Sequence, residues 1–136
     1  MKKILVSTFV VLILMVSVAF ARGPMPPPPV TPENPYYDNG TVTTTATIDY
    51  RLGGRQVITL NGNVTVSWVL PPTGYYTEVI LKVIQHAGVH YNITWVGTKW
   101  QQGLVPLITQ DDGAIDFISC DLDNAGVYCT YGSRFQ

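Results

Sequence analysis

The sequence has few charged residues and no excess of basic ones. Only 12% of its 136 residues are charged, and 8 lysines and arginines stand against 9 aspartates and glutamates, which gives a formal net charge of −1. Proteins that bind nucleic acid electrostatically place lysine and arginine against phosphates and displace counterions. The charge balance argues against this mode of binding, and we expect no nucleic-acid partner.

Side chains that bind metals are also scarce. The two histidines, His86 and His90, are separated by a spacing that suits a metal on a helix but is uninformative at the tip of a hairpin. Asp111 and Asp112 supply too few oxygens for a calcium ion, which takes about 6–8 ligands. We therefore predict no metal and no cofactor, and we interpret both groups as exposed loop residues.

No catalytic motif is present either. No serine lies in the strand–turn–helix context of a nucleophile elbow. Glu78 and Asp116 could serve as paired carboxylates in glycoside cleavage, but the sequence indicates no cleft between them. Asp116 is instead expected to accept backbone N–H bonds or to pair with Lys82 or Lys99. The sequence predicts no catalytic residue, hence a protein that is not an enzyme, and a small secreted hydrolase is the least favoured alternative.

Residues 1–21 have the anatomy of a secretory signal peptide. Lys2 and Lys3 precede an apolar run over 4–20, and Ala19-Phe20-Ala21 is a small-x-small cleavage pattern. The alternative is an uncleaved anchor, because such a run is at the short end of what crosses a hydrocarbon core of about 30 Å. We predict export to the extracellular space, the cell envelope or a virion surface. Contact with a membrane would occur only through an uncleaved signal segment.

Residues 22–40 form a predicted proline-rich linker. Seven of the ten prolines lie within 22–35. Proline lacks a backbone donor and fixes φ, so this stretch is expected to adopt extended polyproline II rather than to join a helix or sheet. We interpret it as a stiff spacer that holds the following domain away from its anchor point; a ligand for a proline-binding module is the alternative.

Residues 41–136 have the pattern of an all-β domain. Apolar residues alternate with polar ones, and the expected one-face sets are Val64, Val66 and Trp68; Val79, Leu81 and Val83; and Tyr91, Ile93 and Trp95. Asn61-Gly62 predicts a tight reversal between Leu60 and Val64, because this dipeptide readily adopts positive φ. About seven short strands separated by turn signals predict a single antiparallel β-sandwich or a jelly-roll-like domain.

The two cysteines fit a hairpin. If 123–126 is a four-residue loop, Leu122 opposes Val127 and Cys120 opposes Cys129. Directly opposed residues of antiparallel strands have Cβ atoms about 4.5–5.5 Å apart. The closer, non-hydrogen-bonded pairs approach the separation of about 3.5–4.5 Å that a disulfide requires. We predict a Cys120–Cys129 disulfide, formed in an oxidising compartment, with two free thiols as the alternative.

The run ITLNGNVTV at 58–66 resembles a motif common in bacteriophage tail-fibre and other virion structural proteins. Further segments match that family in order and spacing: YTEVILKVIQ at 76–85, NITW at 92–95, TKWQQG at 98–103, VPLIT at 105–109 and GAIDFI at 113–118. The resemblance covers about 56–131. The sequence departs from the family at His86, at Gln101-Gln102, in its cysteine pair and in its signal peptide.

The resemblance implies a non-enzymatic β-sandwich that acts as a structural or surface-binding module. Modules of this kind often form trimers, so the resemblance also implies that the chain is a homo-oligomer. An alternative follows from export: an adhesin-like domain that binds a cell-surface glycan or another protein. Tyr75, Tyr76 and Trp100 are the candidate surface-binding residues, because exposed aromatic rings can stack on a sugar.

Overall fold

The computed structural model describes residues 36–135. These residues belong to one unit, Pro32–Gln136, and the other unit, Met1–Thr31, lies outside the described part. The predicted signal peptide (1–21) and most of the predicted linker (22–40) therefore lie outside it as well. Within 36–135, no helix is long and apolar enough to cross a membrane.

Strands make up most of the described chain, which confirms the expected β-rich fold. In order they are β1 Tyr37–Val42, β2 Thr45–Asp49, β3 Arg55–Leu60, β4 Val64–Val69, β5 Thr77–Ile84, β6 Ile93–Trp95, β7 Thr98–Trp100, β8 Ile115–Asp123 and β9 Gly126–Phe135. Two short 3-10 helices, Tyr50–Leu52 and Gln101–Gly103, follow β2 and β7. β1 begins at Tyr37, ahead of the domain start expected at residue 41.

The strands form a large sheet of six, in the order β1-β3-β5-β8-β9-β7, and a small sheet of three, in the order β2-β4-β6. The small sheet is wholly parallel. In the large sheet β1, β3 and β5 are parallel, β7 is parallel to β9, and only the pairs β5–β8 and β8–β9 are antiparallel. The prediction of an antiparallel fold was therefore wrong for most strand pairs.

The turn predicted from Asn61-Gly62 shows the physical reason for this error. β3 and β4 do not pair; the chain crosses there from the large sheet to the small one. Successive strands from β1 to β6 alternate between the sheets in this way, so each sheet gains parallel strands as the chain winds. Alternation of apolar and polar residues has the same period in parallel and antiparallel strands, and it cannot distinguish them.

The crossings stack on one another at one end of the two sheets. Asn61 N–H donates to the carbonyl oxygen of Val42 at 2.8 Å, and Thr65 N–H donates to that of Thr44 at 2.8 Å. A Cβ built at Gly62 would overlap the backbone carbonyl of Thr43. Glycine is therefore needed at this crossing for the close approach of two backbones, not for a hairpin turn.

Both sheets contribute to one hydrophobic cluster. The apolar residues of β5 that were expected on one face, Val79, Leu81 and Val83, are all fully buried. Val64 and Val66 of β4 are buried as expected, and Trp68 packs against the cluster. The rest of the buried cluster is Ala46, Ile48, Ile58, Leu60, Ile108, Ile118, Cys120, Leu122, Val127 and Cys129. The period-two pattern thus correctly identified which side of these strands faces the core.

Two buried glutamines hold the connections between strands. Gln56 Nε2 donates to the carbonyl oxygens of Asp49 at 2.7 Å and Gly53 at 3.0 Å, which fixes the connection from β2 to β3. Gln85 Oε1 accepts from the N–H of Tyr91 at 3.1 Å and so closes the loop from β5 to β6. The buried amide nitrogen of Gln56 and the buried amide oxygen of Gln85 are thus both paired with backbone groups.

Cys120 and Cys129 form a disulfide, as predicted. They are directly opposed on β8 and β9, as are Leu122 and Val127. The pairing extends to Asp123 and Gly126 as well, so the loop itself is shorter than the four residues expected. A disulfide is compatible with an oxidising compartment.

Candidate functional site

A row of polar and aromatic side chains crosses the outer face of the large sheet. Glu78 on β5 opposes Asp121 on β8, and Asp121 opposes Tyr128 on β9. Lys99 on β7 opposes Tyr128 in turn. These side chains alternate with an inward-facing row that contains the buried Val79, Cys120 and Cys129 and the half-buried Trp100. The strand pleat therefore directs the polar row away from the core.

Tyr76 lies directly before β5 and is anchored to this row. Its hydroxyl donates to Asp121 Oδ1 at 2.5 Å, while the residue remains 69% exposed. This hydrogen bond to a carboxylate raises the pKa of Tyr76 above its ordinary value. The bond fixes the position of a largely exposed ring.

Tyr128 carries the second exposed ring of the row. The Lys99 ammonium lies 4.7 Å from the centroid of the Tyr128 ring, a cation–π arrangement. Lys99 Nζ is also 3.4 Å from the Tyr128 hydroxyl. The lysine therefore holds the ring in place and adds a cationic donor beside it.

A shallow groove of about 210 Å³ runs beside Tyr128. We call it the aromatic groove; its lining residues are Lys99, Trp100, Gln101, Asp121, Tyr128, Cys129 and Thr130. Trp100 is half-buried and packs edge-on against Trp95, with ring centroids 5.2 Å apart. One side of Trp100 thus belongs to the core, and the other contributes to the groove.

The structure brings together two of the three predicted surface-binding residues. Trp100 lines the aromatic groove, and Tyr76 is hydrogen-bonded to Asp121, another of its lining residues. Tyr75 is 68% exposed, but its phenol makes none of the side-chain hydrogen bonds found within residues 36–135. Its ring is therefore not fixed in the way that the ring of Tyr76 is.

Sequence reasoning missed Tyr128, although a signal for it was present. With Cys120 opposed to Cys129, the neighbouring residues Asp121 and Tyr128 are also opposed. Alternation along the strands then places both on the face opposite to the buried disulfide. The cysteine register could therefore have identified Tyr128 as an exposed ring beside a carboxylate.

The two histidines lie in the loop between β5 and β6 and do not converge on a metal. His90 Nε2 is 3.0 Å from Asp112 Oδ1, whereas the His86 ring packs edge-on against Tyr91. The pKa of Asp112 is lowered, first by the hydrogen bond from Gly88 N–H and then by His90. Within residues 36–135, no group of three or more metal-binding side chains occurs.

Glu78 and Asp116 do not form a carboxylate pair. Glu78 is exposed on the outer face of the large sheet, and Asp116 is fully buried. Asp116 Oδ2 accepts from the N–H of Thr109 at 2.8 Å, as expected of a structural carboxylate. Its Oδ1, at 3.1 Å, shares the single Tyr131 hydroxyl proton with the carbonyl oxygen of Leu107, at 2.9 Å. These bonds attach the long connection between β7 and β8 to the sheet.

The aromatic groove and the neighbouring Tyr76 present groups that could contact a ligand. Two exposed rings lie beside a carboxylate, an ammonium group and the amide of Gln101. Rigid tyrosine rings offer large contact areas at a low cost in conformational entropy, and the neighbouring groups can donate or accept hydrogen bonds.

No protein-family profile matches this chain, and no curated protein and no solved structure matches it significantly. The resemblance to phage tail-fibre proteins therefore remains a prediction.

Proposed function

We propose that this chain is a non-enzymatic surface-binding module, similar to those of phage fibres, that works outside the cytoplasm. The aromatic groove carries the proposal. It is shallow, its lining includes Tyr128, Asp121 and Lys99, and Asp121 also holds the exposed ring of Tyr76. Such a surface recognises a partner by contact and hydrogen bonding.

Export and display are part of the same proposal. Residues 1–21 would direct secretion, and the proline-rich residues 22–35, which precede β1, would hold the domain away from its point of attachment. The Cys120–Cys129 disulfide supports this assignment, because such bonds persist mainly in oxidising compartments. The two sheets and their shared core would then form the sandwich-like body that carries the groove.

Self-association is also proposed, since the resemblance to fibre modules, which often form trimers, implies it. The direct test of the structural role is to look for the chain in purified virions or extracellular filaments by mass spectrometry. A stoichiometric amount in either particle is the expected result. Recovery of the chain only as free protein in the medium would contradict the structural role.

A second candidate function is that of a carbohydrate-binding or protein-binding adhesin. The observation that favours it is the fixed Tyr76 ring, which is held by Asp121 and remains exposed. A sugar could stack on this ring, while its hydroxyls bind Asp121, Gln101 and Lys99.

Glycan-array binding tests this second function. Binding by the parent protein should be lost in Tyr76→Ala and Tyr128→Ala and kept in Tyr37→Ala. Tyr37 is a matched control, because it is 41% exposed and lies on β1, at the opposite edge of the large sheet. Absence of glycan binding by the parent would remove the carbohydrate candidate and leave a protein surface as the target.

A further inference from the structure

The large sheet ends in an open hydrogen-bonding edge along half of β9. β7 pairs with β9 only at Val127, Tyr128 and Cys129. The chain then turns away through the 3-10 helix Gln101–Gly103. Within residues 36–135, no strand pairs with this side of β9 beyond Cys129.

The register identifies which backbone groups point out of this edge. Opposed Cα atoms of antiparallel strands are about 4.5 Å apart in a non-hydrogen-bonded pair and about 5.5 Å apart in a hydrogen-bonded one. The Cα atoms of Cys120 and Cys129 are 4.1 Å apart, so this pair is of the first kind. The N–H and C=O of Cys129 therefore point away from β8, towards β7. The N–H and C=O of Tyr131 point the same way, where β7 has already ended.

Apolar side chains lie beside this open edge. A groove of about 280 Å³ separates the edge from the loop after β7, and Leu104, Val105 and Pro106 form its loop side. Leu104 and Leu107 are each 71% exposed. Tyr131 Oη donates to the carbonyl oxygen of Leu107 at 2.9 Å, which holds the loop next to the strand. Exposed apolar side chains beside an unpaired strand edge favour the addition of another strand.

We propose that this surface, Tyr131 of β9 together with Leu104, Val105 and Leu107, binds the same surface of a second copy of the chain. The two β9 strands would pair antiparallel about a two-fold axis and join the two large sheets. Each apolar loop would then be covered by the partner. This proposal rests on the self-association proposed above, specifies the surface that causes it, and gives a two-fold dimer in place of the trimer typical of fibre modules.

The symmetry of strand pairing and one observation favour a second copy as the occupant. An antiparallel pair of identical strands is self-complementary, so one surface used twice gives a closed dimer. The groove is lined by Trp100, Gln101, Gln102, Leu104, Val105, Pro106, Cys129, Thr130 and Tyr131, none of them charged. The groove itself would therefore add no repulsion between like charges when two copies meet. The exposed residues of β2, an edge of the small sheet, are the threonines Thr45 and Thr47 and offer no comparable apolar rim.

The test uses the protein purified after export from cells that express the full chain. Sedimentation equilibrium should show a reversible dimer. The double variant Leu104→Asp/Leu107→Asp should weaken dimerisation by about tenfold or more, because it places like charges in the interface. The matched control Leu52→Asp/Val89→Asp changes exposed apolar residues elsewhere and should dimerise like the parent.

Hydrogen exchange supplies a second measurement, because the protection of a backbone amide reports strand pairing and not the charge of the side chains. The Tyr131 amide should be protected in the dimer and should exchange faster on dilution. A parent protein that is monomeric at every soluble concentration would overturn the proposal. If the parent is an oligomer but the double variant does not weaken it, or if the Tyr131 amide stays unprotected, this surface is not the interface. The proposed self-association would then still stand. Protection that appears only when purified virions or filaments are added would assign the edge to a foreign strand instead.

Discussion

The side-chain oxygen of Asn63 accepts a hydrogen bond of 2.9 Å from the backbone N–H of Asn92, 29 residues further along the chain. The bond joins two successive entries into the small sheet, one before β4 and one before β6. Next to it, Val64 N–H donates to the carbonyl oxygen of Asn92 at 3.0 Å. Each entry of the chain into the small sheet is thus hydrogen-bonded to the previous entry through backbone and asparagine groups. Because the entries stack at the same end of the sheet, its strands run parallel.

Replacing Gly62 with alanine should destabilise the domain. The added Cβ would meet the backbone of Thr43, which cannot move without disturbing the crossing between β1 and β2. We expect a loss of about 1–3 kcal/mol in the free energy of unfolding, as for other overpacked sites. Urea denaturation followed by circular dichroism measures it. The control is Gly132→Ala, whose Cβ would lie an ordinary 3.7 Å from its nearest neighbour, the carbonyl oxygen of Phe117. Equal stability of the two variants would contradict the stacked crossing.

The sequence contained enough information for the faces of the strands but not for their directions. Alternation along β5 identifies Val79, Leu81 and Val83 as core residues, because a strand must bury one side. Whether β3 and β5 run parallel depends on what lies between them, and β4 belongs to the other sheet. Asn61-Gly62 fits a hairpin and a close crossing equally well, since glycine serves both, and only contact with Thr43 distinguishes them.

Removing the disulfide should destabilise the folded protein without changing its strands. The bond closes a loop between residues 9 apart in sequence, and loss of so short a cross-link corresponds to about 2–3 kcal/mol in the chain-entropy account. The double variant Cys120→Ala/Cys129→Ala tests this by urea denaturation. Reducing agent should lower the stability of the parent and leave the variant unchanged. A parent that is insensitive to reductant would show that the bond contributes nothing to stability.

Truncation of Trp95 should be among the most damaging changes near the small sheet. Its ring lies between those of Trp68, at 6.5 Å, and Trp100, at 5.2 Å between centroids. Because Trp95 is only half-buried, we expect Trp95→Ala to cost about 3 kcal/mol, the lower end for a large aromatic residue. Trp95→Phe keeps a ring, and it removes an indole N–H that is buried without a hydrogen-bond partner among the described residues. The phenylalanine variant should therefore lose less than half as much stability. Parent-like melting of Trp95→Ala would contradict this packing.

The candidate site was only partly predictable, for a related reason. Exposure of Tyr76 follows from its position after a proline–glycine turn. Its bond to Asp121 joins residues 45 apart in sequence and depends on β5 pairing with β8. No local pattern contains that pairing. The exposure of Tyr128, by contrast, follows from the register of the two cysteines. The part of the groove formed by residues close together in sequence on β8 and β9 was therefore predictable.

Acid should weaken the contact between the β5–β6 loop and the β7–β8 loop. Asp112 Oδ1 accepts from Gly88 N–H at 2.9 Å and lies 3.0 Å from His90 Nε2. These contacts, the Gly88 bond first, lower the pKa of Asp112. A lowered pKa in the folded state means that the stabilisation is fully present above the unfolded value of about 3.9 and is lost as the pH falls through the folded pKa. Carboxyl NMR titration should therefore give Asp112 a pKa below that value.

Melting temperatures recorded from pH 7 to pH 2 supply the second measurement. The parent should lose stability below about pH 4, and Asp112→Asn should show a shallower fall, because the amide keeps an oxygen for Gly88 but does not titrate. Asp112→Ala, which lacks that oxygen, should be less stable than Asp112→Asn at neutral pH. A parent and an Asp112→Asn variant with identical pH profiles, together with an unshifted Asp112 titration, would show that the two loops are not joined through this carboxylate.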